Sequence, residues 1–194
     1  MMEYIKLSDT ETIYRSKYSG VYTQSDFLKK VEINSKYTSQ NHNNSTWIEI
    51  ETPEFTDVEN HIKLMLSGIT KTEIQNYSKH TWIYSQKKNF NLEWMHQHLL
   101  VHPNNRSTIR TDYTFTYYIQ IPTNSNNDEG NIVFETNDKV KHNFSPNEGD
   151  IFIFPADMRH TAIPTPNCDK ERIVMAGSFC LDVFNQKIVT KSSI

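Results

Sequence analysis

The stretch FSPNEGDIFIFPADMRHTAIPTPNCDKERIVMAGSF, residues 144–179, decides the fold of this chain. It contains two apolar runs, IFIF at 151–154 and IVMAGSF at 173–179, and turn-forming residues such as Pro, Asn, Gly and Asp lie around them. Short runs of β-branched and aromatic residues between turn residues are typical of buried strands. The stretch therefore predicts two core strands joined by a more polar connection.

Strand-like segments also lie outside the two apolar runs. The same pattern recurs in HTWIYS (80–85), NLEWMHQH (91–98), YTFTYYIQIP (113–122), GNIVFET (130–136) and KHNFSP (141–146). Together with GDIFIFP (149–155) and ERIVMAGSFCLDV (171–183), these make seven segments in roughly a hundred residues. Short strands at this density indicate a β-sandwich or a jelly roll.

A helix is predicted before these strands. Thr56 and Glu59 match the T-x-x-E pattern of a helix N-terminus. Apolar residues then recur at helical spacing, which indicates a stripe that packs against a sheet; they are Val58, Ile62, Met65, Leu66 and Ile69. A length of 194 residues with 12% aromatic residues suits one domain with an aromatic-rich core.

Composition and charge give no support for several classes of protein. The formal net charge of -3 and the lack of a dense Lys/Arg block give no footprint of a phosphate-binding nucleic-acid protein. Cys168 and Cys180 show neither a disulfide framework nor CxxC spacing. The first residues, MMEYIKLSDTET, do not resemble a secretory signal, and no apolar run approaches the roughly 18 residues of a membrane span. We expect a soluble protein of the cytoplasm, or of the host cytoplasm if the chain is phage-encoded.

A pair of histidines points to a metal. His96 and His98 are two residues apart in a strand-like segment, and side chains at that spacing lie on one face of a strand. Two neutral imidazoles so placed can bind one metal ion. The best candidate for a third ligand is His160, because the apolar strand IFIFP would carry the chain to the mouth of a β-barrel just before it.

Arg172 lies twelve residues after His160 and opens the last apolar run. We expect its strand to run back beside the preceding one, so that the guanidinium points into the barrel. A buried guanidinium requires an anionic partner, and a small dicarboxylate would be such a partner.

The stretch at 144–179, with GNIVFE before it, resembles the C-terminal half of the iron(II)/2-oxoglutarate dioxygenases, near their prolyl-4-hydroxylase-like and phage or bacterial branches. Those proteins carry P-x-x-G-D, an apolar strand ending in F-P, an iron-binding His and then a basic residue. The matching positions in this chain are Pro146, Gly149, Asp150, Phe154, Pro155, His160 and Arg172.

The resemblance implies a double-stranded β-helix, a cupin-like jelly roll that is mainly β with flanking helices. We expect one oxygenase domain over residues 1–194, with 1–78 as an N-terminal α/β segment packed on a β-helix core at 79–186. The implied cofactors are Fe(II), 2-oxoglutarate as co-substrate, and O2. The implied reaction is hydroxylation of an unknown substrate, a peptide side chain or a metabolite, with decarboxylation of 2-oxoglutarate to succinate.

The resemblance also implies roles for individual residues. His96, His98 and His160 would bind the iron, while Arg172 and Tyr118 would hold the far carboxylate of 2-oxoglutarate. The family usually has H-x-D where this chain has His96-Gln97-His98, so His98 stands in the place of a carboxylate. Two other residues of the following loop are alternatives to His98, namely Asp112 and, as a weaker substitute, His102.

Two rival classes remain open. A cupin-type metal enzyme that does not use 2-oxoglutarate would suit three histidines but gives Arg172 no role. A catalytically silent jelly roll, used for binding or assembly, would leave the histidines with local hydrogen bonds alone.

Overall fold

The computed structural model describes residues 1–35, 40–41, 45–48, 52–74, 77–86, 95–98, 100–101, 108–109, 112–122, 128–165, 167, 169–181 and 187–188. Its helices are α1 (Gln24–Ser35) and α2 (Pro53–Thr70). Its strands are β1 (Glu3–Lys6), β2 (Thr12–Lys17), β3 (Gln40–Asn41), β4 (Ser45–Ile48), β5 (Thr72–Glu73), β6 (Tyr77–Gln86), β7 (Leu100–Val101), β8 (Thr108–Ile109), β9 (Tyr113–Gln120), β10 (Ile132–Glu135), β11 (Lys141–Phe144), β12 (Asp150–Pro155), β13 (Arg159–Ala162), β14 (Arg172–Leu181) and β15 (Lys187–Ile188).

Two antiparallel sheets form the body of the fold. The large sheet has eight strands in the order β1-β2-β12-β9-β14-β6-β4-β3, and the small sheet has three in the order β11-β10-β13. Ile132 and Phe134 of the small sheet pack in one apolar cluster with Phe152 and Phe154 of the large sheet. The two sheets therefore face each other across a common core, which is the arrangement of the predicted jelly roll.

Side chains along the central strands alternate between two cores. On β12, Ile151 and Ile153 pack toward the helices, whereas Phe152 and Phe154 pack toward the small sheet. On β14, Met175 belongs to the helix-side core. The same alternation on β9 divides Phe115, Tyr117 and Ile119 from Tyr118. Because both faces are covered, these strands are almost continuously apolar.

Helix α2 covers the outer face of the large sheet with the predicted stripe. Phe55, Val58, Ile62 and Leu66 are buried there, and Ile69 packs at the edge of the same core. The helix begins at Pro53 after an extended Thr52, one turn earlier than the predicted start at Thr56. Proline at the first helical position has its φ already set for a helix and needs no N–H partner, so it starts the helix before the capping pattern does.

No helix in the described part of the chain is both long and apolar enough to cross a membrane.

Most of the predicted strands are confirmed, and two expectations are wrong. Of NLEWMHQH, the structure describes Met95–His98, and within these residues His96 makes an isolated bridge to His160 in place of a regular strand. The strand β14 does not run beside the apolar strand before it. It lies between β6 and β9, because its pairing follows the order of the whole sheet.

The N-terminal segment does more than pack on the β-helix. Strand β2 pairs with β12, and β4 pairs with β6, so the first fifty residues extend the large sheet on both sides. The apolar strand β12 is thereby flanked by β2 and β9.

The turn before β12 is held by Asp150. Its side chain is 2% exposed, accepts a hydrogen bond from the backbone N–H of Asn147 at 2.8 Å, and pairs with Arg15 of β2. Gly149 has a φ of 85°, a conformation that side chains rarely adopt, and its N–H donates to the carbonyl of Tyr118. The N-E-G-D sequence is therefore a structural turn that ties three strands together.

Asp150→Asn should destabilise the protein. An amide oxygen can still accept from Asn147 and Arg15, which both donate to Oδ2, but the amide carries no negative charge for Arg15 and Lys17. Losing a charge-assisted bond at a buried site costs about 1.5–3 kcal/mol in the free energy of unfolding. Urea denaturation measures this loss. Asp9→Asn, which changes a fully exposed carboxylate paired with Lys6, is the control and should leave the midpoint unchanged.

Candidate metal centre and cavity

A cavity of about 380 Å³ lies between the two sheets. The described residues that line it come mainly from β6, β9 and β14 of the large sheet, from β13 of the small sheet and from the segment 95–98: Trp82, Tyr84, His96, His98, Thr114, Thr116, Tyr118, Ile132, His160, Thr161, Ala162, Arg172, Val174 and Ala176. All five residues that the sequence analysis assigned to metal and co-substrate binding are among them. The cavity is therefore the candidate site.

The three predicted histidines meet in this cavity. One ring nitrogen from each of His96, His98 and His160 can be chosen so that all three atoms lie within 4.8 Å of one another. Two metal–nitrogen bonds of about 2.1 Å place donor atoms no more than about 4.2 Å apart, so small side-chain rotations would bring all three onto one ion. The ring centroids are 4.4 Å apart for His96 and His160 and 5.1 Å apart for His98 and His160.

Backbone hydrogen bonds hold these imidazoles together. His96 and His160 exchange both N–H···O bonds at 3.0 Å, and the N–H of His98 donates to the carbonyl of Ala156 at 3.0 Å. The predicted strand was expected to place His96 and His98 on one face. The bridge to His160 gives the same result, because both side chains lie on the side that faces β13. The indole of Trp82 lies beside the ring of His98, with centroids 5.4 Å apart.

His160 is oriented and kept neutral by its surroundings. Its Nδ1 lies 3.0 Å from the carbonyl oxygen of Met158, which can only accept, so Nδ1 carries the proton and Nε2 keeps a free lone pair. Burial, and next the neighbouring His96 and His98, hold the pKa of His160 well below its ordinary value. A neutral imidazole with a fixed tautomer is the form that binds a metal.

Arg172 and Tyr118 form the other end of the cavity. Arg172 is 2% exposed, and its Nη2 donates to the Tyr118 hydroxyl at 3.3 Å. The guanidinium carbon also lies 5.2 Å from the centre of the Tyr118 ring. Burial raises the pKa of Tyr118, and Arg172 partly opposes that rise, so the hydroxyl stays protonated at neutral pH. The pair offers a cation and a hydroxyl to a ligand in the cavity.

Of the alternative ligands named from the sequence, Asp112 is not in this cluster. The carboxylate of Asp112 accepts from the backbone N–H of Leu181 at 2.8 Å, and Asp112 does not line the cavity. The other alternative, His102, lies outside the described residues. Arg159, next to His160 in sequence, pairs with Glu135.

Several wall residues were missed by sequence reasoning. Trp82 and Tyr84 lie on β6, Thr116 on β9 and Thr161 on β13. The Thr161 hydroxyl is buried and makes no hydrogen bond within the described part of the chain, and the Thr116 hydroxyl lies beside that of Tyr118. The alternation of HTWIYS was the signal for Trp82 and Tyr84, because residues 82 and 84 share one face of a strand.

The sequence matches no family model and no curated protein. Solved structures do match its fold. A prolyl-4-hydroxylase from Pseudomonas putida is 13% identical with a TM-score of 0.54, over 86% of this chain and 91% of that one. The viral collagen prolyl hydroxylase of Paramecium bursaria Chlorella virus-1, as a 2-oxoglutarate complex, is 13% identical with a TM-score of 0.56, over 85% and 94%.

A prolyl hydroxylase from Trichoplax adhaerens, in complex with a peptide fragment of the hypoxia inducible factor oxygen degradation domain, is 12% identical with a TM-score of 0.60, over 87% of this chain and 83% of that one. The chain therefore has the fold of the prolyl hydroxylases and related 2-oxoglutarate/Fe(II) oxygenases, which confirms the predicted fold class.

The low pKa of His160 should make the stability of the metal-free protein depend on pH. The unfolded chain takes up a proton near the ordinary pKa of 6.5, whereas the folded chain resists it. Neutral His160 therefore makes its full contribution to the free energy of unfolding above the ordinary pKa of the unfolded chain. As the pH falls from there toward the lower pKa of the folded state, this contribution decreases by up to about 1.4 kcal/mol per pH unit.

Urea denaturation between about pH 7.5 and about pH 5.5 measures this slope. His160→Asn removes the titrating group and should flatten the slope. A His160→Asn protein with the wild-type slope would contradict the assignment.

Proposed function

We propose that this protein is an Fe(II)- and 2-oxoglutarate-dependent oxygenase that hydroxylates a substrate bound at the mouth of the cavity. The observation that supports this most strongly is that His96, His98 and His160 meet in the same cavity as Arg172 and Tyr118, within a prolyl-hydroxylase fold. Three donors, one buried cation and one hydroxyl are the parts that this chemistry requires from the protein.

The donor set fits iron. Imidazole nitrogen suits Fe(II) as well as Co, Ni, Cu and Zn, and three donors on one side leave the other coordination positions open. His160 presents a lone pair because its Nδ1 proton is held by Met158. His96 and His98 reach the same point through the bridge to β13. We assign these three residues as the metal ligands.

The far end of the cavity fits a carboxylate. The Arg172 guanidinium can form paired N–H···O bonds to a carboxylate, and the protonated Tyr118 hydroxyl can donate another. The two residues are already joined at 3.3 Å, which fixes the direction of both. We assign Arg172 and Tyr118 to the far carboxylate of 2-oxoglutarate. One of the matched prolyl hydroxylases is a 2-oxoglutarate complex, which supports the same co-substrate here.

Bound iron, 2-oxoglutarate and O2 would together supply an oxidant that converts a C–H bond to C–OH while 2-oxoglutarate leaves as succinate and CO2. The residues of this chain position and shield that chemistry. The apolar wall, with Ile132, Val174 and Ala176, excludes water from the space between Arg172 and the histidines. His96 is exposed, so the metal end of the cavity is the side on which a substrate can approach.

The peptide-bound neighbour supports a peptide among the substrate classes considered from the sequence. We propose that residues 1–194 act as a single oxygenase domain whose N-terminal strands support the core.

A metal enzyme that does not use 2-oxoglutarate is the second candidate, and the three-imidazole cluster favours it, since the related oxygenases usually supply a carboxylate. The burial of Arg172 in the same cavity favours the first candidate, because the far carboxylate of 2-oxoglutarate gives the guanidinium an anionic partner. Co-substrate turnover separates the two.

The iron-loaded protein should convert 2-oxoglutarate to succinate, at least slowly without substrate. Arg172→Ala should raise the 2-oxoglutarate concentration for half-maximal turnover by about tenfold or more, because it removes charge-assisted hydrogen bonds. Succinate formation measured against 2-oxoglutarate concentration gives both values. Arg159→Ala, which changes an arginine paired with Glu135 outside the cavity wall, is the matched control and should behave as wild type.

An iron-loaded protein that neither binds nor turns over 2-oxoglutarate would favour the second candidate. Equal effects of Arg172→Ala and Arg159→Ala would remove Arg172 from the co-substrate site.

Each ligand assignment is testable by metal binding. His96→Ala, His98→Ala and His160→Ala should each lower the affinity for Fe(II), measured under nitrogen, by about a hundredfold or more, since losing even a supporting residue costs about 10- to 100-fold. His142→Ala should bind Fe(II) as the wild type does. A variant of the cluster with undiminished affinity would show that its histidine is not a ligand.

A further inference from the structure

Trp82 lies on a regular part of the large sheet and reaches the candidate metal centre. Strand β6 pairs with β14 along its whole length, and Trp82 stands opposite Ala176 in that register. Opposite residues of an antiparallel pair share one face, and both of these residues line the cavity. Trp82 is buried. Its indole is therefore held by the sheet and points into the cavity.

The indole is in ring contact with one of the proposed metal ligands. Its centroid lies 5.4 Å from that of the His98 imidazole, and the two ring planes are inclined by 34°. Favourable aromatic pairs have their centroids about 4.5–7 Å apart, so the distance is that of an attractive contact. The His160 imidazole lies 5.1 Å from that of His98, at an angle of 23°. Contacts with two other rings therefore constrain the plane of the His98 ring.

The backbone around His98 is not part of a regular strand. Within the described residues of its segment, the chain is joined to β13 by the bridge between His96 and His160. The N–H of His98 donates to the carbonyl of Ala156. Trp82, by contrast, belongs to a strand with partners on both sides. A rigid neighbour restricts the His98 side chain before a metal arrives, so less rotational freedom is lost when the metal binds.

The electrostatics of an indole suit an imidazole ligand. The face of the indole ring carries negative charge density, and Trp is the best of the aromatic side chains at stabilising a positive group near its face. An imidazole that binds a divalent metal becomes partly positive, because the metal withdraws electron density from the ring. The contact of Trp82 with His98 is therefore more favourable in the metal-bound form than in the metal-free form, which raises the metal affinity.

A carboxylate at position 98 would not gain from the same neighbour. Its charge is negative, so the negative face of the indole opposes it. The side chain of Asp is also shorter than that of His, and the area against the indole would be left unfilled. Trp82 therefore distinguishes between the two kinds of ligand.

We propose that Trp82 is a positioning residue for the second donor of this centre, and that it makes the imidazole of His98 a better ligand than the carboxylate that the related oxygenases usually have. This inference rests on the proposed assignment of His98 as a metal ligand. Residues 82 and 98 then act as a pair, so the effect of changing one depends on the identity of the other.

The experiment is a double-mutant cycle on the full chain, measured by titration with Co(II), whose visible absorption reports on its ligands without turnover. Trp82→Leu should weaken Co(II) binding by about tenfold in the wild-type background, because the contact with the metal-bound imidazole is lost. Trp82→Phe keeps a ring and should show a smaller loss. In the His98→Asp background, Trp82→Leu should strengthen Co(II) binding.

Phe115→Leu is the matched control, because Phe115 is a buried ring of the helix-side core and does not line the cavity. It should lower the free energy of unfolding and leave the Kd for Co(II) unchanged. Circular dichroism establishes that each variant folds, and Trp82→Met takes the place of Trp82→Leu if the latter does not. If no His98→Asp protein binds Co(II), the comparison of Trp82→Leu with Trp82→Phe and Phe115→Leu decides alone.

The inference is overturned if Trp82→Leu binds Co(II) as tightly as the wild type, or if Trp82→Phe loses as much affinity as Trp82→Leu. Equal weakening by Trp82→Leu in the wild-type and His98→Asp backgrounds would also overturn it, since the indole would then support the cavity wall and not the ligand. Wild-type protein that binds no Co(II), or His98→Ala with undiminished affinity, is a separate result that removes the proposed ligand assignment.

Discussion

Alternation of side chains along β9, β12 and β14 is the constraint on which the rest of this structure depends. Each of these strands is covered on both faces, by the helices on one side and by the small sheet on the other. A shift of one residue in register would exchange the two faces of a strand. Arg172 and Tyr118 would then point toward the helices, and the cavity would lose its cation.

The candidate centre adds a second constraint, because its three histidines come from two separate parts of the chain. His160 belongs to a regular strand, while His96 and His98 belong to a short segment joined to that strand and to Ala156 by backbone hydrogen bonds. The side chains therefore depend on main-chain geometry for their convergence. Trp82 and Met158 then restrict the rings of His98 and His160.

The sequence predicted the features that local pattern encodes. Apolar runs between turns identified the strands, and a two-residue spacing identified the histidine pair. The sequence did not predict the order of strands in the sheet, because the pairing of two distant segments depends on both of them and cannot be inferred from the local pattern of either. For that reason the predicted neighbour of β14 was wrong, and the pairing of β2 with β12 was not predicted. Helix α2 begins at Pro53 and not at the predicted Thr56, because the fixed φ of the proline favours the first helical position more strongly than the capping pattern three residues later.

The isolated bridge between His96 and His160 has a consequence for the rate at which a metal enters and leaves. His96 is exposed, and within the described residues of its segment the backbone bonds are those to His160 and Ala156. Breaking the backbone bonds to His160 and Ala156 would separate His96 and His98 from His160 without breaking the bonds within either sheet, so it needs less free energy than global unfolding. A metal ion held by the three proposed ligands could therefore exchange through local opening of this segment, without unfolding of the sheets.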